Sequence, residues 1–453
     1  MRPPVDLSPP LWKSFVAFLA PMMLSNMLQA LSGTINNIYL GQMIGAEALA
    51  SASVFFPIMF FFVALVIGMG AGASVLIGQA WGAGDRDQVR RVAATTLTTA
   101  LAMGLFIAVV LTSAARPMLM ALGTPANVLS GAVAYSTVIL GFMPVFFAFL
   151  LVTQLLRGVG DTVTPLWALA VSIAIAMVLT PALIRGWLGL PRLGVASAAW
   201  GAAIAWTVTL GWLCWYLHRR SSPLAPDRRF VRAMRPDPHL LKLVLRLGVP
   251  SAVQMVVMAV AEMVLLGLVN RYGSDATAAY GAVNQVMAYV QFPAMSIAIT
   301  VTILSAQAIG AGRIERLPVI LRTGLLFNLL VTGVLVLVAY LFSRSLVMLF
   351  IVSAPIVLLT QSLLHIVLWS VVVFGMASIL SGQMRAGGDV LVPTGLSVLS
   401  ILAVEVPIAW VGSRMFGIDG VWIAYPTTFV SMLLFQGLYF RLRWRHKPIV
   451  RLA

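Results

Sequence analysis

Thirteen acidic residues are few enough in a chain of 453 to place one by one. Only Glu262, in VQMVVMAVAEMVLLGLV, and Glu405, in VLSILAVEVPIAWVG, stand inside long apolar stretches. Asp6, Asp85, Asp87, Asp161, Asp227, Asp237, Asp275, Glu315, Asp389 and Asp419 fall in loops or at helix ends, and Glu47 lies just before an apolar run. A carboxylate held in hydrocarbon costs several kcal/mol unless it is neutralised or paired. No Lys or Arg is expected inside an apolar stretch to pair with either glutamate. A carboxyl that alternates between protonated and ionised states is what a proton antiporter requires. A sodium ion held by carboxylate and neutral oxygens would meet the same need, so the residues alone leave the ion open.

The elements that must carry these glutamates follow from composition. Of the residues 61% are apolar and 9% charged, and mean hydropathy is +1.00, far more than a soluble core needs. Apolar stretches long enough to cross about 30 Å of hydrocarbon are predicted near 14–40, 48–79, 90–112, 128–153, 163–184, 195–217, 247–270, 276–307, 318–342, 352–381, 391–412 and 419–440. The expectation is an all-α membrane protein of twelve transmembrane helices. The first stretch is too long for a signal-peptide core and lacks an evident cleavage site, so it reads as retained. The single cysteine, Cys214, excludes an internal disulfide framework.

The chain also repeats itself. GQAWGAGDR at Gly78–Arg86 returns as SAQAIGAGR at Ser305–Arg313, with Gln79 matched by Gln307 and Gly84 by Gly312. LRGVGDTVTP, carrying Arg157, Asp161 and Pro165, returns as MRAGGDVLVP, carrying Arg385, Asp389 and Pro393, each 228 residues later. Two motifs displaced by one interval indicate a duplication. Two pseudo-symmetric six-helix halves are therefore expected at 1–217 and 247–453, joined by a basic cytoplasmic linker at 218–246. An even number of spans per half relates the halves by an axis along the membrane normal. The glycine turns read as scaffold, with Asp161 and Asp389 placed to cap the fifth and eleventh spans.

Charge orients the chain. Of the 29 Lys and Arg residues, 23 lie at the termini and even-numbered connections; the others are Arg116, Arg185, Arg192, Arg271, Arg344 and Arg414. The positive-inside rule then puts both termini in the cytoplasm of a multi-pass inner-membrane protein. The net charge of +16 is orientation signal and needs no nucleic-acid partner. Lys13, Lys242 and Lys447 each follow a residue other than glycine, so no GK[ST] phosphate loop exists. Four scattered histidines form no convincing metal cluster, and no nucleophile with a base points to an enzyme. An ion gradient, with H+ or Na+ transported and no bound cofactor, remains as the energy source.

The ordered set YLGQMIGAEALA, GAGASVLIGQAWGAGD and LRGVGDTVTP, within two six-span halves from about Leu11 to Arg441, resembles the multidrug and toxic compound extrusion (MATE) family. The resemblance implies a secondary transporter exporting organic, often cationic, compounds in exchange for protons or sodium ions. In one branch of that family, acids of spans 1 and 5 form a cation site. The positions here that match are Asn36 and Thr180, neither of which ionises. The span-10 acid of another branch is absent from HIVLWSVVVFGMASILSGQM. The coupling site is therefore expected in the C-terminal half, with Glu262 and Glu405 approaching one another. Candidates for the cavity lining are Asn36, Asn37, Asn284 and Gln285, although helix-to-helix hydrogen bonding would explain these amides as well. Gln254 is a candidate orienting partner of Glu262. Met258 and Phe55, among other methionines and phenylalanines, offer adaptable apolar surface for varied compounds. The simplest cargo is a lipophilic organic cation that competes with protons, carried by a monomer in contact with membrane lipid. The alternative, a flippase for a lipid-linked saccharide, would favour arginines in the cavity.

Overall fold

In hydrocarbon a backbone finds hydrogen-bond partners only within its own helix, so apolar runs of this length must be helical. The structure, a computed structural model, describes residues 11–348 and 353–452, among which there is no strand. Its long helices are α1 Leu11–Ile44, α2 Ala46–Gly82, α3 Arg86–Ser113, α4 Ala126–Gly141 with Met143–Gly158, α5 Val163–Arg185, α6 Ala196–Arg219, α7 Pro238–Tyr272, α8 Ser274–Gly310, α9 Ile314–Leu341, α10 Ala354–Ala386, α11 Leu391–Met415 and α12 Ile418–His446. Eleven are long and apolar enough to span a membrane singly, and the bent pair α4 makes twelve.

Each predicted stretch falls on one of these helices, and the differences have local causes. The two parts of α4 meet at 56°, where Phe142 leaves helical geometry and Pro144 opens the second part; proline fits a helix's first turn and breaks its interior. Gly104 of α3 receives this corner, where an added Cβ would lie 2.7 Å from the Pro144 Cα. LLKLVLR is the continuous beginning of α7, which starts at Pro238. The expectation that spans hold no basic residue needs correction: Arg157 and Arg385 lie in the last turns of α4 and α10, and Arg322 lies inside α9.

The chain forms two compact units, one of residues 20–248 and one of 249–453 with 11–19. The 218–246 segment thus belongs to the first unit. That unit packs Leu76 and Ile77 of α2 with Leu140, Met143, Phe147 and Leu151 of α4, all fully buried. Ser74 Oγ donates to the Gln154 carbonyl at 2.8 Å across the same contact. The second unit has a core from α7 to α12 that includes Leu265, Val283, Val336, Leu364, Trp422 and Phe429.

The duplicated turns share a backbone and diverge in side-chain use. Gly160 and Gly388 take φ of +85° and +86°, a region that favours glycine. Asp161 caps α5, accepting from Thr164 N at 3.0 Å and from Thr164 Oγ1 at 2.7 Å. Asp389 does not repeat the cap: its Oδ2 accepts from Tyr439 Oη at 2.6 Å and Lys447 Nζ at 2.7 Å. Trp444 packs on Gly387 and Leu452 on Gly388, so the tail after α12 is fastened to the α10–α11 turn.

The hydrogen bond to Asp389 holds the Lys447 ammonium above its ordinary value of 10.5. A folded value raised in this way contributes stability that is complete below the unfolded pKa and lost as pH rises through the folded one. The fastening should therefore be constant through neutral pH and weaken only above about pH 10.5. Asp389→Asn should raise trypsin cleavage after Arg445 several-fold at pH 7.5, while the wild-type rate stays low across the neutral and mildly alkaline range in which the ion pair is complete.

Candidate functional site

On α7, Gln254, Met258 and Glu262 recur every four residues and form one stripe. Tyr280 and Asn284 of α8 are likewise one turn apart and share a face. On α12, Trp422, Tyr425 and Phe429 share a face. Glu405 ends a widened π turn, Ile401–Glu405, in α11. Pro407 favours that turn, because its ring displaces the carbonyl four residues earlier and it has no N–H to donate.

These elements assemble one polar cluster within the second unit. Glu405 is buried, with 6% of its surface exposed, whereas Glu262 is exposed. Glu405 lies within the electrostatic field of the Glu262 carboxylate. Tyr280 and Tyr425 lie in the field of both. The tyrosine hydroxyls are 3.1 Å apart, and Tyr280 Oη donates to the Glu262 main-chain carbonyl at 3.4 Å. Trp422 stands behind them with ring centroids 5.2 Å from Tyr280 and 5.6 Å from Tyr425. No Lys or Arg forms an ion pair with either glutamate among the described residues. The cluster thus holds two carboxylates, uncompensated by basic side chains, on a rigid aromatic support.

The other sequence candidates divide. Asn284 lies one turn from Tyr280 and is half-buried, as is Gln285 on the same helix. Met258 is partly buried against the second unit's core. Gln254 does not orient Glu262: it accepts from Arg385 Nη2 at 2.7 Å, and two turns of α7, about 12 Å of rise, separate it from the glutamate. Phe55 offers no open surface, being 1% exposed and packed edge-on to Tyr135 at 6.3 Å. Asn36 is half-buried and Asn37 exposed on α1 of the first unit. Thr180 is buried where its side chain meets Gly201. Sequence reasoning missed Tyr280 and Tyr425; eight of the nine tyrosines fall inside the predicted apolar stretches, so their residue type alone did not single these two out.

The hydroxyl chain makes a testable contribution. Tyr280→Phe removes a bridge between Tyr425 and the Glu262 main chain, and a hydrogen bond is worth about 1 kcal/mol net. Ion-driven transport should fall roughly 5-fold with folding intact. Tyr425→Phe should match it, and the double variant should be no worse than either single one, because both break one chain. Efflux rates in proteoliposomes would show additivity if the hydroxyls acted separately.

Comparison with known proteins agrees with this architecture. The MatE family model matches residues 21–182 and again 250–411, once in each half. The chain is 40% identical to the probable multidrug resistance protein YoeA of Bacillus subtilis over 447 residues, covering 98% of this chain and 96% of that one. It is 23% identical to the multidrug export protein MepA of Staphylococcus aureus, over 91% of this chain and 89% of its relative. Among solved structures, the Vibrio cholerae MATE transporter VcmN superposes with a TM-score of 0.89 at 20% identity, over 97% of this chain and 98% of that one. The chain belongs to the MATE family of multi-pass membrane transporters.

Proposed function

We propose that the protein is a proton-coupled antiporter of the cytoplasmic membrane, with both termini inside, that exports lipophilic organic cations as a monomer. The observation that supports this reading is a buried Glu405 in the field of the Glu262 carboxylate, with no basic partner for either among the described residues. Two adjacent carboxylates repel one another. Any single positive charge relieves the repulsion, so a proton and a cationic cargo compete for the pair. Competition between two ligands for one site in alternating conformations yields exchange.

Two further points support the choice of ion and cargo. A sodium ion seeks several converging oxygens, but the nearby tyrosine hydroxyls are engaged with each other and with the main chain. The related YoeA and MepA bear multidrug names, which matches a cargo class defined by charge and lipophilicity. No cofactor beyond the transported ion is needed. The test is efflux of a fluorescent lipophilic cation from proteoliposomes under a proton gradient or a sodium gradient imposed separately. Movement under the proton gradient alone is expected. Movement under sodium alone would replace the ion, and movement under neither would end the antiport reading.

A further inference from the structure

The segment between α6 and α7 contains five arginines, no lysine and only two acids, Asp227 and Asp237. Both acids are occupied locally. Asp227 accepts from Phe230 N at 2.7 Å and lies 3.9 Å from Arg90. Asp237 accepts from His239 N at 2.9 Å at the start of α7. None of Arg228, Arg229, Arg232 and Arg235 forms an ion pair among the described residues, and all four are exposed.

The segment is nevertheless fixed in place. A short helix, Arg228–Ala233, buries Phe230, and Leu224 and Ala225 are buried just before it. The Met234 carbonyl accepts from Thr98 Oγ1 of α3 at 3.0 Å. Helix α3 has 28 residues, a rise of about 42 Å against about 30 Å of hydrocarbon. Its charged beginning, RDQVRR, therefore projects past the hydrocarbon, and the segment is pinned to the same half of α3 through Thr98. Nearby in sequence, Arg219 lies 4.8 Å over the Trp215 ring and Arg220 4.8 Å over Tyr216, an aromatic and basic pairing suited to the headgroup layer. Val231 stands 59% exposed among the arginines.

We infer that this docked segment is a binding surface for anionic phospholipid headgroups of the cytoplasmic leaflet. Arg228, Arg229, Arg232 and Arg235 contact the phosphates, and Val231 meets the acyl boundary. The ligand's chemistry follows from the surface: four guanidiniums without acidic partners attract phosphate, and an exposed aliphatic side chain among them fits an interface better than water. Anchoring by Phe230 and Thr98 means that little ordering remains to be done on binding. The inference is independent of the coupling ion and of the cargo.

Native mass spectrometry of the delipidated full-length protein, titrated with phosphatidylglycerol or phosphatidylcholine, tests it. Phosphatidylglycerol is expected to be retained at least 5-fold better. Replacing all four arginines by Gln should bring it down to the phosphatidylcholine level, while replacing them by Lys should keep at least half the preference. Phe230→Ala leaves every charge in place and releases the anchor, so it should weaken phosphatidylglycerol retention 2- to 3-fold. Equal retention of the two lipids, or an undiminished preference in a folded Gln variant, would overturn the assignment. Displacement of phosphatidylglycerol by an equimolar RNA oligonucleotide would also overturn it, giving the surface to nucleic acid.

Discussion

Glu405→Gln should lower proton-driven efflux by on the order of 100-fold while leaving the protein folded, because the variant keeps the shape of the side chain and removes its exchangeable charge. Glu405 is buried at the end of a π turn, and no basic side chain pairs with it among the described residues. Glu262 is exposed, and Glu262→Gln should cost less, about 10-fold, since one carboxylate of the pair remains in the aromatic setting. The two effects should not add, because each glutamate acts through its repulsion of the other. Exchange of labelled for unlabelled cargo without any gradient separates coupling from cargo binding. Glu405→Gln should retain part of that exchange while losing concentrative efflux. Wild-type efflux by the variant under a pH gradient would move the coupling site elsewhere.

Much of this arrangement is legible in one dimension, for definite reasons. The spans are readable because hydrocarbon imposes one length scale and forbids unpaired backbone. Glu262 and Glu405 stand out because acids are so rare in those spans. The halves are readable because their glycine turns survive duplication, as Gly160 and Gly388 show in nearly equal φ. Contacts between helices distant in sequence are another matter. Gln254 looks like a neighbour of Glu262 along α7, but its partner, Arg385, lies 131 positions away. Asp389 looks like Asp161, but duplication copied the residue and not the tail that supplies Lys447. Tyr280 and Tyr425 are 145 positions apart, and neither helix alone shows that they meet. The π turn at Glu405 also differs from its counterpart: α5 passes Pro181 as an uninterrupted helix, so proline alone does not decide the geometry.

The second large effect is expected at a residue without a side chain. α11 and α12 approach at Gly412 and Gly420, and a Cβ on Gly420 would overlap the Gly412 main chain. Small residues permit backbone contact of this kind between membrane helices. A clash with main chain cannot be relieved by a rotamer change, so Gly420→Ala must push the helices apart. Overpacking of this kind costs about 1–3 kcal/mol. The displacement would carry Trp422 and Tyr425 with it, two and five residues further along α12, and withdraw support from the glutamate cluster. Gly420→Ala is therefore expected to lower thermal stability in detergent and to reduce efflux beyond what the loss of folded protein explains. Gly437 on the same helix is the control, because a Cβ there meets only Leu380 Cδ1 at 4.0 Å; Gly437→Ala should be neutral in both measurements. Equal behaviour of the two variants would mean that the α11–α12 contact is looser than the structure shows, and the aromatic support of the carboxylate pair would have to come from α8 and α10 instead.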